Sequence, residues 1–314
     1  MELLHWPLDP SLTAEMNAHY KARKAATFVG RGAYDISHEF TFDEEAPDLT
    51  FDGCEAFLRW VERSFLPAPL HGVGIEVGAG AGTWSAIIAR APRVEKVYAL
   101  DACEPIVALV EEVVPALAPA NEAKVVPVVG DFDHLALPDA SLDFAFDFFS
   151  LHHSTDIGKT FRELARVMKK GGVVLGFDKA RPDYLSEADL TALLDIEYPP
   201  AENVRMGLAP DAHHTRRMNG EREYRLKDWR AAFLGAGFSR FEHFNIARTV
   251  SGNLVIARGK ALFAHLPPRL QTHLTRLFIN PEKRGGPNIS SDHRVYSALG
   301  RHFPKEISIL IAVR

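Results

Sequence analysis

The chain has 314 residues, 46% of them hydrophobic, and its 36 Lys and Arg against 41 Asp and Glu leave a net charge of -5. That content is ample for a core, and the acidic balance gives no global field to draw nucleic acid or an anionic membrane. Cys54 and Cys103 stand far apart without metal-ligand or disulfide-framework spacing, and no stretch approaches the ~20 apolar residues of a membrane helix, so a soluble chain in the reducing cytoplasm is expected.

Residues 11 to 28 carry good helix formers, a Ser11 cap and a thin apolar stripe through Leu12, Met16 and Tyr20. The next stretch, with Gly30, Gly32 and Tyr34, has loop composition. A helix is expected from Gly53 to Phe65, with Phe57, Trp60 and Val61 on one face and Pro67 and Pro69 ending it. From there strands and helices alternate. Strand 73 to 77 precedes helix 83 to 91, strand Val97 to Leu100 precedes helix Pro105 to Leu117, and strand Lys124 to Val129 leads to a loop. Strand Leu142 to Phe148 precedes helix Ile157 to Lys169, and after a Gly171-Gly172 stop comes strand Val173 to Phe177. Such βα units imply a parallel sheet with helices on both faces, whose ligands bind at the strands' carboxyl ends.

The densest stretch is His71 to Trp84, HGVGIEVGAGAGTW. Val73, Ile75 and Val77 supply an inner strand, and Gly78, Gly80 and Gly82 open a turn where a ligand can touch backbone, with Thr83 able to begin a helix cap. Glu76 would repel a pyrophosphate, and Thr83 stands where a dinucleotide fingerprint needs glycine. The turn therefore reads as a nucleoside site without phosphate. Asp101, about twenty residues beyond Gly80, is placed to accept both hydroxyls of a ribose. Gly130-Asp131-Phe132 ends the third strand with a carboxylate for an exocyclic amine and an aromatic face for a purine. Phe148-Phe149-Ser150-Leu151 and the pair His152-His153 follow the fourth. These strand ends agree on one adenosine-sized site.

Together they resemble a class I S-adenosylmethionine-dependent methyltransferase, of the small-molecule type with an LHH signature. The resemblance rests on EVGAGAG at 76 to 82, LDA at 100 to 102, GDFDHLALPDASLDFAFDFFSLHH at 130 to 153 and FRELARVMKKGGVVLGFD at 161 to 178. YRLKDWRAAFLGAGF at 224 to 238 is similar to the helix and Gly-Phe turn before strand six. The resemblance implies an α/β, Rossmann-like sheet of seven strands, the last antiparallel, with strand six at 241 to 246 and strand seven at 307 to 313. It assigns Glu76 to the amino end of the cofactor's methionine, and Gly78, Ala79 and Gly80 to the turn beneath it. Asp101 takes the ribose hydroxyls, Ala102 and Phe132 pack on adenine, and Gly130 and Asp131 face its amine. Phe148 and Phe149 offer backbone near the methionine. Asp147 departs from the pattern, as a substrate contact or as the strand's exposed rim.

The expected organisation is an N-terminal helical extension (1–70), a methyltransferase core (71–250) interrupted at 183–222, a helical insertion (251–306) and a final strand (307–314). The 183–222 stretch reads as a long loop; its His213, His214, Arg216 and Arg217, with Tyr20 and Tyr34, are candidate acceptor contacts. His152 or His153 is the natural base if the acceptor is a hydroxyl. No complete ligand set suggests a metal. The expected activity is methyl transfer from S-adenosyl-L-methionine to oxygen or nitrogen of a small metabolite, without nucleic-acid or membrane partners. The alternatives are a macromolecule methyltransferase, and a scaffold of the same fold that binds the cofactor without transfer.

Overall fold

The computed structural model describes residues 1–9, 51–181, 183, 185–205, 208–246 and 307–314. The expected N-terminal helix, Tyr20, Tyr34 and the insertion at 251–306 lie outside these residues. Eight strands form one sheet: β1 (Leu4–His5), β2 (Gly72–Val77), β3 (Val94–Asp101), β4 (Val125–Val129), β5 (Leu142–Phe148), β6 (Met168–Asp178), β7 (Arg240–Ile246) and β8 (Ile307–Val313). Their order is β1-β4-β3-β2-β5-β6-β8-β7. All neighbours from β1 to β6 run parallel, and β8 is antiparallel to both β6 and β7.

Both faces are covered, because successive side chains on each strand point opposite ways. On one face Phe144, Phe146 and Phe177 pack with Phe57 and Val61 of α1 (Phe51–Phe65) and Trp84 and Ile87 of α2 (Thr83–Ala89). On the other, Ile75, Val77 and Ala145 meet Phe161 of α5 (Ile157–Val167) and Trp229 and Phe233 of α8 (Leu226–Gly235). The Phe161 and Phe233 rings stack with centroids 3.7 Å apart. Fully burying each such ring stabilises the fold by about 1.5–3 kcal/mol. Among the described residues no helix is long and apolar enough to cross a membrane.

The structure corrects several boundaries. The helix expected over 105 to 117 is two pieces, α3 (Glu104–Val107) and α4 (Val110–Leu117). An eighth strand appears because Leu4 and His5 pair with Val128 and Val129. The Gly171-Gly172 pair is not a helix stop. α5 already ends at Val167, where Met168 turns extended, and both glycines lie inside β6. They absorb a shift in register between Leu142 and Phe144, with Gly171 at φ 82° and no room for a Cβ on Gly172 beside the Lys169 and Asp143 carbonyls.

The segment read as a loop at 183–222 contains α6 (Glu187–Leu194) and α7 (Pro200–Arg205). α6 starts at a capping box: Ser186 Oγ accepts from the Asp189 amide at 3.2 Å, and the Asp189 carboxylate accepts from the Ser186 amide at 2.8 Å. Ser186→Ala is expected to destabilise this segment by about 1 kcal/mol. Hydrogen exchange should show the loss in 187 to 194 and leave β2 and β5 unaltered.

Candidate functional site

The turn after β2 is built from backbone that only glycine adopts cheaply: φ is 68° at Gly78, 55° at Gly80 and 83° at Gly82. Gly82 begins α2 without a side-chain cap, and Thr83 is the first helical residue rather than the cap. Ala79 N–H donates to the Leu100 carbonyl at 2.8 Å, tying the turn to β3. Asp101 braces it further. One carboxylate oxygen accepts from Gly80 N at 3.0 Å and the other from Cys103 N at 2.9 Å. Each oxygen keeps a second lone pair, so the group can hold the turn and still accept from a diol. Ala102 beside it is half-buried. Glu76, just beneath, is buried and accepts from Ser85 Oγ at 2.5 Å.

At the end of β4, Gly130 N donates to the Asp101 carbonyl at 3.1 Å, and a Cβ on Gly130 would press on Trp6. Asp131 is buried, and its carboxylate already accepts from the Asp9 and Asp133 amides at 2.9 and 2.8 Å with His134 Nδ1 3.1 Å away. Most of its accepting capacity thus serves the N-terminal segment and its own turn. Phe132 is half-buried beside it.

At the end of β5, Phe149 takes the left-handed conformation at φ 56° and donates its amide to the Phe177 carbonyl at 2.8 Å. For a bulky residue this costs on the order of 1–3 kcal/mol and is characteristic of functional sites. Its ring meets Phe148 edge-on at 5.0 Å, and Phe148 lies 4.7 Å from Trp84. Asp147 is neither rim nor substrate contact. It is fully buried, with one oxygen accepting from Ser150 N and Leu151 N at 3.0 and 2.9 Å. Burial first, and the charge of Asp178 second, push its pKa well above the carboxylate range.

The two histidines sit in the short 3-10 turn Leu151–His153 and differ sharply. His152 is buried; Nδ1 lies 2.6 Å from Asp178, and Nε2 faces Glu221 at 3.4 Å and the Lys179 ammonium at 3.2 Å. Burial disfavours its charge, but Asp178 outweighs it and raises the pKa to about 9. Asp178 thus favours the charged form of His152 and opposes its use as a base. His153 is half-buried, with Nδ1 2.9 Å from the Gly220 carbonyl. Burial, then the charge of His152 beneath it, lowers its pKa to about 3.

Around them runs a chain of ion pairs that joins β6 to the 183–222 segment. Lys179 pairs with Glu221, Arg216 with Glu221 and Glu223, and Arg181 with Glu223. Burial works against the Glu221 charge, yet His152 and Lys179 hold its pKa far below the usual range. His152, His153 and Glu221 bring ligand-type atoms within 4.8 Å of one another, and Lys179 contacts both His152 and Glu221. Asp178, Lys179, Glu221 and Glu223 are absent from the sequence-derived site; the contacts that hold them, Asp178 to His152 and Lys179 to Glu221, span 26 and 42 positions and follow no local spacing. His214 is buried and packs with Tyr198 at 5.7 Å, whereas His213 is exposed and pairs with Glu197. Arg217 pairs with Asp195 on the surface.

The glycine turn after β2, the acidic brace from β3 and the aromatic residues at the end of β5 all gather at the carboxyl ends of the parallel strands, where α/β sheets place their ligands. Residues 75–176 match the family model described as methyltransferase domain. This stretch of the chain is therefore similar to a methyltransferase domain. The uncharacterized methyltransferase YcgJ of Bacillus subtilis (strain 168) is 32% identical over 110 residues, which span 35% of this chain and 41% of that protein. The chain thus aligns with less than half the length of that curated relative. Among solved structures, the 4+2 cyclase SpnF superposes with a TM-score of 0.51 at 16% identity, covering 100% of this chain and 99% of its own. At that identity it supports the fold alone. The crystal structure of the YcgJ protein has a TM-score of 0.43 at 19% identity, covering 84% of this chain and 99% of its own.

Proposed function

We propose that the protein transfers a methyl group from S-adenosylmethionine to an oxygen or nitrogen of a small molecule in the cytoplasm. The observation that carries the reading is Asp101 holding the left-handed glycine turn through Gly80 while keeping lone pairs for a ribose. The turn at Gly78, Ala79 and Gly80 runs beneath a methionine tail, Glu76 is the carboxylate for its ammonium, and Ala102 and Phe132 flank the adenine. Asp131 serves this pocket through the turn it closes, with its carboxylate tied to Asp9 and Asp133.

A sulfonium cofactor supplies an activated methyl group with a good leaving group, so the residues around it need chiefly to align the nucleophile and exclude water. The Phe148, Phe149 and Trp84 rings supply an apolar wall for that purpose, and aromatic faces tolerate a cation. The acidic balance supports an acceptor other than a nucleic acid. Cys54 and Cys103, both buried as thiols, support a reducing compartment.

Asp101→Ala removes a charged acceptor from both the turn and the ribose. Cofactor affinity is expected to fall by roughly 10- to 150-fold, the equivalent of 1.5–3 kcal/mol. Equilibrium dialysis with labelled cofactor measures this directly, and equal binding by parent and variant contradicts the assignment.

A further inference from the structure

We propose that His153 receives the X–H group of the methyl acceptor at its Nε2, which makes the acceptor class a neutral hydroxyl or N–H compound. Carboxylates, thiolates and tertiary amines are excluded. The inference rests on the methyl-transfer reading above and deepens it. A carbonyl oxygen only accepts, so the 2.9 Å contact with Gly220 requires the proton on Nδ1 and leaves the lone pair on Nε2. That Nε2 makes no hydrogen bond among the described residues, and the ring is half-buried at the strand-end rim. Gly220 itself is at φ 74°, a left-handed backbone that glycine adopts at low cost and that aims its carbonyl at the imidazole.

The ring cannot easily take up a proton. The His152 ring, held by Asp178, lies 4.3 Å beneath it, and Lys179 adds a second cation, while Glu221 is the carboxylate that faces both rings and is itself engaged by Lys179 and Arg216. These groups leave His153 neutral across the physiological range. A neutral imidazole with its donor already used presents an acceptor and nothing else. An alcohol, a phenol or an N–H amine donates to it and aims its own lone pair elsewhere. A carboxylate, thiolate or tertiary amine would set lone pair against lone pair, with the cost of a desolvated acceptor left unmatched. As the acceptor's oxygen or nitrogen bonds to the methyl carbon, the S–CH3 bond breaks, the sulfur departs as a neutral thioether and the acceptor's proton is released to water; the part of His153 is orientation of the nucleophile.

The test uses the full chain with labelled S-adenosylmethionine and matched compounds: alcohols and phenols against the corresponding carboxylates, thiols, and secondary against tertiary amines. Transfer is expected only to members bearing a neutral O–H or N–H. On the best of them, His153→Leu should lower kcat roughly 10- to 100-fold without changing cofactor affinity. His153→Gln, whose carbonyl can reach the Nε2 position while its amide serves Gly220, should recover part of the loss. The parent's kcat should stay flat between about pH 5.5 and 8. Transfer to a carboxylate, thiolate or tertiary amine overturns the proposal. So do a His153→Leu variant within twofold of the parent, a kcat that rises through an ionisation near 6.5, and no transfer to any donor-bearing compound by a chain that binds the cofactor. Failure to bind the cofactor at all counts instead against the methyl-transfer reading.

Discussion

Gly78→Ala is expected to eliminate measurable cofactor binding. At φ 68° an alanine costs about 1–2 kcal/mol in backbone strain alone. Its Cβ would also overlap the Ser150 side chain, which has no freedom to retreat. Ser150 Oγ lies 2.5 Å from both the Val77 carbonyl and the buried Asp147 carboxyl, and Ser150 N donates to Asp147 at 3.0 Å. The turn must therefore move, and with it the Gly80 amide that Asp101 holds. Loss of affinity beyond roughly 100-fold is expected, since displacement of a binding element by about 1 Å costs this much. Gly235→Ala is the control: a Cβ there meets nothing within 4 Å, and both cofactor affinity and Tm should stay at the parent values.

Asp178→Asn is expected to cost about 3–5 kcal/mol of stability, the usual result of removing one partner from a buried charged pair. Asp178 receives His152 Nδ1 at 2.6 Å and the His152 amide at 2.9 Å, all within the interior. With the carboxylate gone, the imidazolium loses its main partner, and Asp147 loses the neighbouring charge that raises its pKa. The same pair sets a pH dependence. The His152 pKa is raised from 6.5 to about 9, so its stabilisation is complete below 6.5 and is lost as pH rises through about 9. Asp178 is lowered below 3.8, so its share is present above that value and disappears in acid. The parent's Tm should fall from pH 7 to about pH 10, and His152→Gln should flatten that limb.

The parallel core was legible because its strands announce themselves. Val73, Ile75 and Val77 run into a glycine triplet, and Leu142 to Phe148 is apolar almost throughout, so the pattern and its boundaries coincide. β1 was invisible, since two residues carry no periodicity and are strand only because β4 offers an edge. The Gly171-Gly172 pair misled because a helix stop and a strand bulge demand the same backbone freedom, and only the register with β5 distinguishes them. Asp101 is legible as a brace of the turn because its distance from the glycines is a property of the βα unit. The ion-pair chain is not: Lys179 and Glu221 are 42 residues apart, and charges in a polar segment read as solvated unless their burial is known. The two histidines were singled out as a pair; their opposite charge states follow from Asp178, which carried no spacing signal.

The carboxyl ends of β2, β3 and β4 are expected to take S-adenosylmethionine. Calorimetry on the full chain, titrated separately with S-adenosylmethionine and with NAD, tests it most directly. Single-site binding of S-adenosylmethionine, tighter than any binding of NAD, is the result expected from Glu76 and the left-handed glycine turn; tighter binding of NAD, or no binding of S-adenosylmethionine, would contradict it.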